Sequence, residues 1–349
     1  MYKGNYNKRV PEQTPESLIN NDGTPNYGTF KTPFKKFNFL GFKRPGFNRF
    51  VKRHRLTSWE VVEASFDKYL FLGVVYKMGI MNFNMFVLYD QSKNEVYHNS
   101  KESLFGGVTI ANNLLNGSIT RKESKKTKVE FINHFEDGRC DCCGYSISKR
   151  KQLSFDLKLK NLSESSIVSI PLTSINPLYT EKDFMSLEGS FVVDGVEKVD
   201  QGVKNYAIID DHRGFYPRKS GYDWLTLMTR LNVDGVEVDF ALNLTYFYKN
   251  IDQVKYNENG YWLNETYYSL PVVTFERTGD VWTIQDEEGY VNLEMKVKNK
   301  YHLYKNFLVV KIDYLLAFGE ISGVIIDSNG NEIHIKDVYG IGEERYTKL

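Results

Sequence analysis

The 349-residue sequence predicts an all-β fold, and three observations carry that expectation. Apolar and polar residues alternate over short runs, as half-buried strands require, with turn residues every ten positions or so. Asp194-Gly195, Asp234-Gly235 and Asn329-Gly330 each separate two alternating runs. Such dipeptides readily supply the positive φ of tight hairpins. Helical periodicity is scarce, with short candidates only at 182–187 and 104–115. Many meandering strands over this length suggest sandwiches or up-and-down barrels, and the length suits about two domains of roughly 150 residues. Aromatic residues make up 15 % of the chain and hydrophobic residues 41 %, a composition that excludes disorder.

Residues 1–55 read as an irregular arm. Residues 1–60 hold 12 Lys+Arg against 4 Asp+Glu and the remainder 33 against 40, so the net charge of +1 cancels +8 against −7. Between Thr29 and Arg55 nine basic residues and seven Phe stand without an acid. Phe34, Phe37, Phe39, Phe42, Phe47 and Phe50 are expected to anchor this arm over the body. Peripheral contact with an anionic membrane is the alternative partner, and nucleic acid is not expected.

Strands follow at 59–64, 69–76, 85–89, 129–135, 154–160 and 166–172. Basic clusters at 121–128 and 149–151 fall in expected loops. The Pro/Ser/Thr/Asn stretch 171–177 is the expected linker, dividing a first domain, 56–175, from a second, 176–349. Cys140, Cys142 and Cys143 are clustered and odd in number, which is not a disulfide framework. They lack the second knuckle of a structural zinc site, so they read as solvent-facing turn cysteines, with no metal and no cofactor expected. No apolar run reaches membrane-spanning length, and the polar N-terminus lacks a signal-peptide core. A soluble cytoplasmic protein is the expectation. Phosphate loops, dinucleotide turns and His-Glu-x-x-His helices are missing.

The chemistry concentrates in Asp210-Asp-His-Arg-Gly-Phe-Tyr-Pro-Arg-Lys-Ser-Gly-Tyr-Asp-Trp224. A carboxylate beside an imidazole can tune general acid–base work, and Arg can orient a planar or anionic group. The competing reading is a polar loop whose Asp and Arg pair to close a barrel end. Tyr256-Asn-Glu-Asn-Gly-Tyr-Trp262 reads either as a pocket mouth around Glu258 or as plain turn chemistry.

These residues resemble a bacterial family known as a domain of unknown function, itself similar to the double-lipocalin proteins, which include AttH-like proteins and carotenoid hydratases. The likeness rests on Asp210, Arg213-Gly-Phe-Tyr-Pro-Arg218 and Trp224, then Leu242-Asn-Leu244, Asn257-Glu-Asn259 and Trp262. Phe318-Gly-Glu-Ile-Ser-Gly323 and Tyr339-Gly-Ile-Gly-Glu343 fit the same pattern, and the likeness covers most of 40–345. Where the family pattern has a His after the first Asp, this chain has Asp211, with His212 one later. The resemblance implies two lipocalin-like antiparallel β-barrels packed together behind the arm. It implies Arg213, Tyr216, Arg218, Trp224, Asn243, Asn259 and Trp262 as ligand-binding candidates, while Asp210, Asp211 and Glu258 are the acid–base candidates because a buried carboxyl can stay neutral. Glu343 is a weaker pocket residue.

The leading expectation is a hydrophobic small molecule, lipid- or isoprenoid-like, held in an aromatic-lined barrel of the second domain. The first alternative is a hydro-lyase or isomerase acting on an alkene, resembling carotenoid hydratases. The second is a structural or interaction protein without a pocket. Catalysis is not decided by the sequence. The discriminating geometry is whether the carboxylates point into a cavity or pair at a loop surface.

Overall fold

The structure, a computed structural model, describes residues 9–104, 106–147, 152–199, 204–307 and 310–348. The basic cluster at 149–151 lies outside them. Two curled antiparallel sheets account for the fold. The first contains β1 (Gly28–Phe30), β2 (Leu56–Phe66), β3 (Tyr69–Met78), β4 (Met81–Asp90), β5 (Glu95–Leu104), β6 (Val108–Thr109) and β7 (Ser118–Glu123). It continues with β8 (Thr127–His134), β9 (Arg139–Ile147), β10 (Gln152–Asn161), β11 (Ser166–Thr173), β12 (Asn176–Val193), β13 (Val196–Val199) and β14 (Asn205–Phe215). Its main order is β5-β4-β3-β2-β14-β12-β10-β9-β8-β7-β6.

The second sheet contains β15 (Lys219–Val233), β16 (Val236–Phe247), β17 (Gly260–Leu263), β18 (Thr266–Ser269) and β19 (Val273–Thr278). To these it adds β20 (Val281–Asp286), β21 (Val291–Phe307), β22 (Val310–Ile326) and β23 (Glu332–Lys348). Its order is β18-β17-β16-β15-β23-β22-β21-β20-β19. Each sheet curls as a half-barrel, and the edges are blunted rather than joined. Edge strand β5 is polar and half-exposed, with Lys101 and Glu102, while β6 has two residues. Short or charged edges resist pairing with another chain.

Several expectations need correction. The 171–177 stretch is no linker: Pro171 pairs with Pro177 across a turn, and β12 and β14 still belong to the first sheet. The chain changes sheet between Phe215 and Lys219, where Pro217 has no N–H to continue a ladder. Segment 182–187 is strand, in β12, and the described residues of 104–115 hold the end of β5, β6 and bends, with no helix. A helix occurs instead in the arm, α1 (Arg49–Arg55), where Asn48 Oδ1 accepts the Val51 N–H at 2.9 Å. Asp194-Gly195 and Asp234-Gly235 do turn with positive φ (51° and 79°, 52° and 84°). At Asn329-Gly330 the loop is longer, folded around Asp327, whose carboxylate accepts the N–H groups of Asn329 and Asn331. Cys140 and Cys142 are buried in β9 rather than exposed on a turn. The cluster at 121–128 spans a β7–β8 hairpin in which Arg121 and Lys128 pair with Glu130.

Each sheet closes around its own apolar cluster, one including Phe71, Phe86, Phe155 and Phe191, the other Phe240, Tyr261, Trp282 and Met295. A further cluster joins the two sheets, with Trp59, Val74 and Met85 from the first against Trp224, Phe247 and Phe318 from the second. The arm adds its own: Phe34, Phe39 and Phe42 are buried against Ile167, Tyr179 and Phe215. Phe37 and Phe47 are half-buried, and Phe50 is 70 % exposed, so it anchors nothing. Among the described residues no helix is long and apolar enough to cross a membrane.

Candidate functional site

Strands β2, β12 and β14 are covered on both faces, so their alternation separates two interiors rather than core from solvent. Residues 207, 209, 211 and 213 of β14 turn towards the first sheet's own interior. Asp210 and His212 turn towards the second sheet. Register carries this across the sheet: Lys182, Asp210, Val61, Val74 and Met85 form one cross-strand row. The next row is His212, Trp59, Tyr76 and Phe83. Its rings stack in sequence, with centroids 4.0, 5.1 and 4.6 Å apart. Tyr216 Oη lies 2.7 Å from His212 Nε2.

Lys182 is the centre of the polar end. Its Nζ lies 2.8 Å from Asp210 Oδ2 and 3.9 Å from Glu258 Oε1. The Thr245 hydroxyl donates to Glu258 Oε1 at 2.6 Å. Glu63 shares the wall, two residues along β2 from Val61. Glu63 Oε2, Asp210 Oδ1 and Glu258 Oε2 are buried without a hydrogen-bond partner among the described residues. Unpartnered buried oxygens are uncommon and expensive, so these three call for a proton, a water or a ligand, as do those of Glu60, Glu181 and Asp183 in the first sheet's interior.

Electrostatics sorts these groups. Burial pushes Glu63 well above the ordinary carboxyl range, with Lys182 opposing only in part. Burial raises Asp210 to about 6, against the pull of Lys182. His212 is driven well below the usual imidazole value by burial, then by Lys182 and Arg345. At neutral pH the wall therefore carries a neutral acid, Glu63, a neutral imidazole, and a carboxylate, Asp210, held by an ammonium.

The second sheet supplies the opposite wall. Tyr222 and Tyr314 donate to the two oxygens of Glu343 at 2.6 and 3.1 Å. Arg345 stands between them in the next row. Trp224 Nε1–H donates to Asn243 Oδ1 at 2.7 Å, and Asn243 donates to the Glu258 carbonyl at 2.9 Å. Asn259 Oδ1 accepts the Thr245 N–H at 2.6 Å, and Arg9 of the arm donates to the carbonyls of Asn257 and Asn259. These bonds fix the loop that presents Glu258.

The space between the walls comes to about 1060 Å³ with its mouth to solvent included, of which about 110 Å³ is open to the centre of a water molecule. Exposure grades from the buried Lys182 end to the half-buried Met81, Phe83, Leu303 and Ile312 at the mouth.

Asp210, Glu258 and Trp224 line this cavity, and Asn243, Asn259 and Tyr216 brace groups that do. Asp211 and Arg213 face the other way and pair bidentately at 2.7 and 2.8 Å inside the first sheet. Arg218, beyond Pro217, is exposed. Trp262 packs beside Phe184 and Tyr206, its Nε1–H bonded to the Glu164 carbonyl at 2.8 Å. The cavity lies between the sheets and not inside the second, whose interior holds an apolar cluster of its own. Sequence reasoning missed Glu63, Lys182 and Arg345. Glu60 and Glu63 inside the apolar run Trp59-Glu-Val-Val-Glu-Ala64 were the available signal. Among the described residues no three His, Cys, Asp or Glu are placed to hold a metal ion.

A family model described as a domain of unknown function (DUF2804) matches residues 9–349. No curated protein matches the sequence significantly. Among solved structures, an AttH-like protein from Nitrosomonas europaea is 10 % identical, over 83 % of this chain and 92 % of that one, with a TM-score of 0.49. Kievitone hydratase from Nectria haematococca is 13 % identical, over 84 % and 88 %, with a TM-score of 0.46.

Proposed function

The chain belongs to the DUF2804 family, and from that premise we propose that it binds a compact, largely apolar molecule between its sheets and performs acid–base chemistry at a carbon–carbon double bond. One observation carries the reading: Glu63, Asp210 and Glu258 converge on Lys182 in an aromatic-walled cavity, each with a buried oxygen lacking a partner. Carboxylates serving only to close a barrel end would be paired at a loop surface, whereas these line a cavity.

In the addition step the Glu63 O–H proton passes to one alkene carbon, and the π pair becomes the new C–H bond. Water adds its oxygen lone pair to the adjacent carbon. The proton it sheds passes to Asp210, and exchange through water returns Glu63 to its acid form. Run backwards, the same steps eliminate water. Burial provides what protonating an alkene needs, a carboxyl kept neutral at working pH. Lys182 keeps the accepting carboxylate ionised beside it. The space favours a compact ligand over a long isoprenoid.

Native mass spectrometry and solvent extraction of the purified protein identify the ligand. Turnover in D₂O then places deuterium on one alkene carbon. Glu63→Gln and Asp210→Asn should each lower turnover by about 10²-fold or more with folding retained. Variants that fold and turn over at the wild-type rate would sink the catalytic reading. A ligand retained unchanged by the wild type would leave a binding protein.

A further inference from the structure

We infer that Arg345 receives the carboxylate of a compact monocarboxylic ligand, whose apolar body extends towards the cavity mouth. The inference rests on the proposed use of the cavity and adds the class of molecule it takes.

Three cations of the two sheets are matched to acids, whereas buried Lys122 donates to the Ser103 hydroxyl and Arg9 to backbone carbonyls. Arg213 pairs with Asp211 at 2.7 Å, Lys182 with Asp210 at 2.8 Å, and Arg277 with Asp223 at 2.6 Å. Arg345 lines the cavity and has no carboxylate within ion-pair distance among the described residues. Its Nε–H donates to Thr347 Oγ1 at 3.2 Å and a terminal nitrogen donates to the Tyr76 hydroxyl, both neutral partners. The nearest acid on the same face of the strand, Glu343, takes the hydroxyls of Tyr222 and Tyr314 and feels Arg345 only through space.

The guanidinium is also held in place before any ligand arrives. It lies 5.4 Å from the Trp59 ring centroid, 5.3 Å from Tyr76, 5.7 Å from Tyr216 and 5.6 Å from Tyr222. Rings around a cation fix its plane and replace part of its lost hydration. A planar fork without a directly bonded acid suits a carboxylate, which can take two parallel N–H bonds. On the mouth side of it stand Met78, Met81, Phe83, Leu303 and Ile312. An acid seated on Arg345 would thus lay its hydrocarbon part against this apolar stretch.

Calorimetric titration of the full chain with octanoate against octanamide, and with trans-cinnamate against cinnamamide, tests this. Each pair differs in charge and hardly in shape. The wild type should bind each acid about ten- to a hundred-fold more tightly than its amide. Arg345→Met should lose that preference while still binding the amides, and Arg345→Lys should keep part of it. Equal affinity for acid and amide in the wild type overturns the inference, as does failure of both acids to bind at millimolar concentration. A preference that survives in Arg345→Met overturns it too. Loss of all four ligands in Arg345→Met, with Arg345→Lys equally inert, would assign Arg345 to the fold and also overturn it. Binding is read without turnover, so a carboxylate preference with no reaction would leave this inference standing and sink only the catalytic reading.

Discussion

Glu60 and Glu63 lie three residues apart on β2 and face opposite interiors, so each tests a different surrounding. Glu60 enters the first sheet's interior near Asp211 and Arg213, and burial, with Asp211 adding repulsion, raises it to about 8. Its ordinary unfolded value is about 4.3. A folded value above the unfolded one means the fold favours the neutral form. The stability this contributes is full below about pH 4 and is lost as pH rises through about 8. Glu60→Gln cannot ionise and escapes that loss. Urea unfolding at pH 5 and pH 8 should therefore show the variant gaining on wild type as pH rises, by on the order of 3–4 kcal/mol across the window. A difference that does not vary with pH would contradict the raised value. Glu63 obeys the same sign on the cavity side, where its neutral form is what the proposed chemistry uses.

At the scale of elements, the arm separates anchoring from decoration. Phe34 is fully buried, its ring centroid 4.7 Å from that of Phe30 and 5.8 Å from that of Tyr179, whereas Phe50 is 70 % exposed. Phe34→Ala should destabilise the protein by about 3–5 kcal/mol, and Phe50→Ala by no more than about 0.5 kcal/mol, both read from chemical denaturation. Legibility in the sequence divides along the same physical line. Strands with one wet face show period-two alternation: in β10 Leu153, Phe155, Leu157 and Leu159 are buried between more exposed neighbours, and the strand at 154–160 was readable for that reason. Strand β12 is buried on both faces over Asn176–Met185 and carries Glu181, Lys182 and Asp183 in succession. Charges there serve two different interiors, so no period marks the strand, and 182–187 resembled a helix instead. Asp327 caps its loop through its side chain, which a search for turn dipeptides does not register.

For the whole molecule, the decisive fact is that the cavity belongs to neither sheet. Alternation reveals which residues turn inward, not which sheet covers them. Asp210 and Glu258 were therefore legible as candidates while their meeting across Lys182 was not. Trp59 and Trp224 stand on the two walls of one shared cluster, which makes the sheets a single cooperative unit. Near-ultraviolet and far-ultraviolet circular dichroism should give coincident thermal transitions; separate midpoints would show sheets that unfold independently. The central claim is narrower: the shared cavity keeps Glu63 as a neutral acid at pH 7. Infrared difference spectra between wild type and Glu63→Gln address it without knowledge of the ligand. The account predicts that wild type at pH 7 has a protonated-carboxyl carbonyl stretch that the variant lacks, and a difference spectrum showing only the paired stretches of an ionised carboxylate would contradict it.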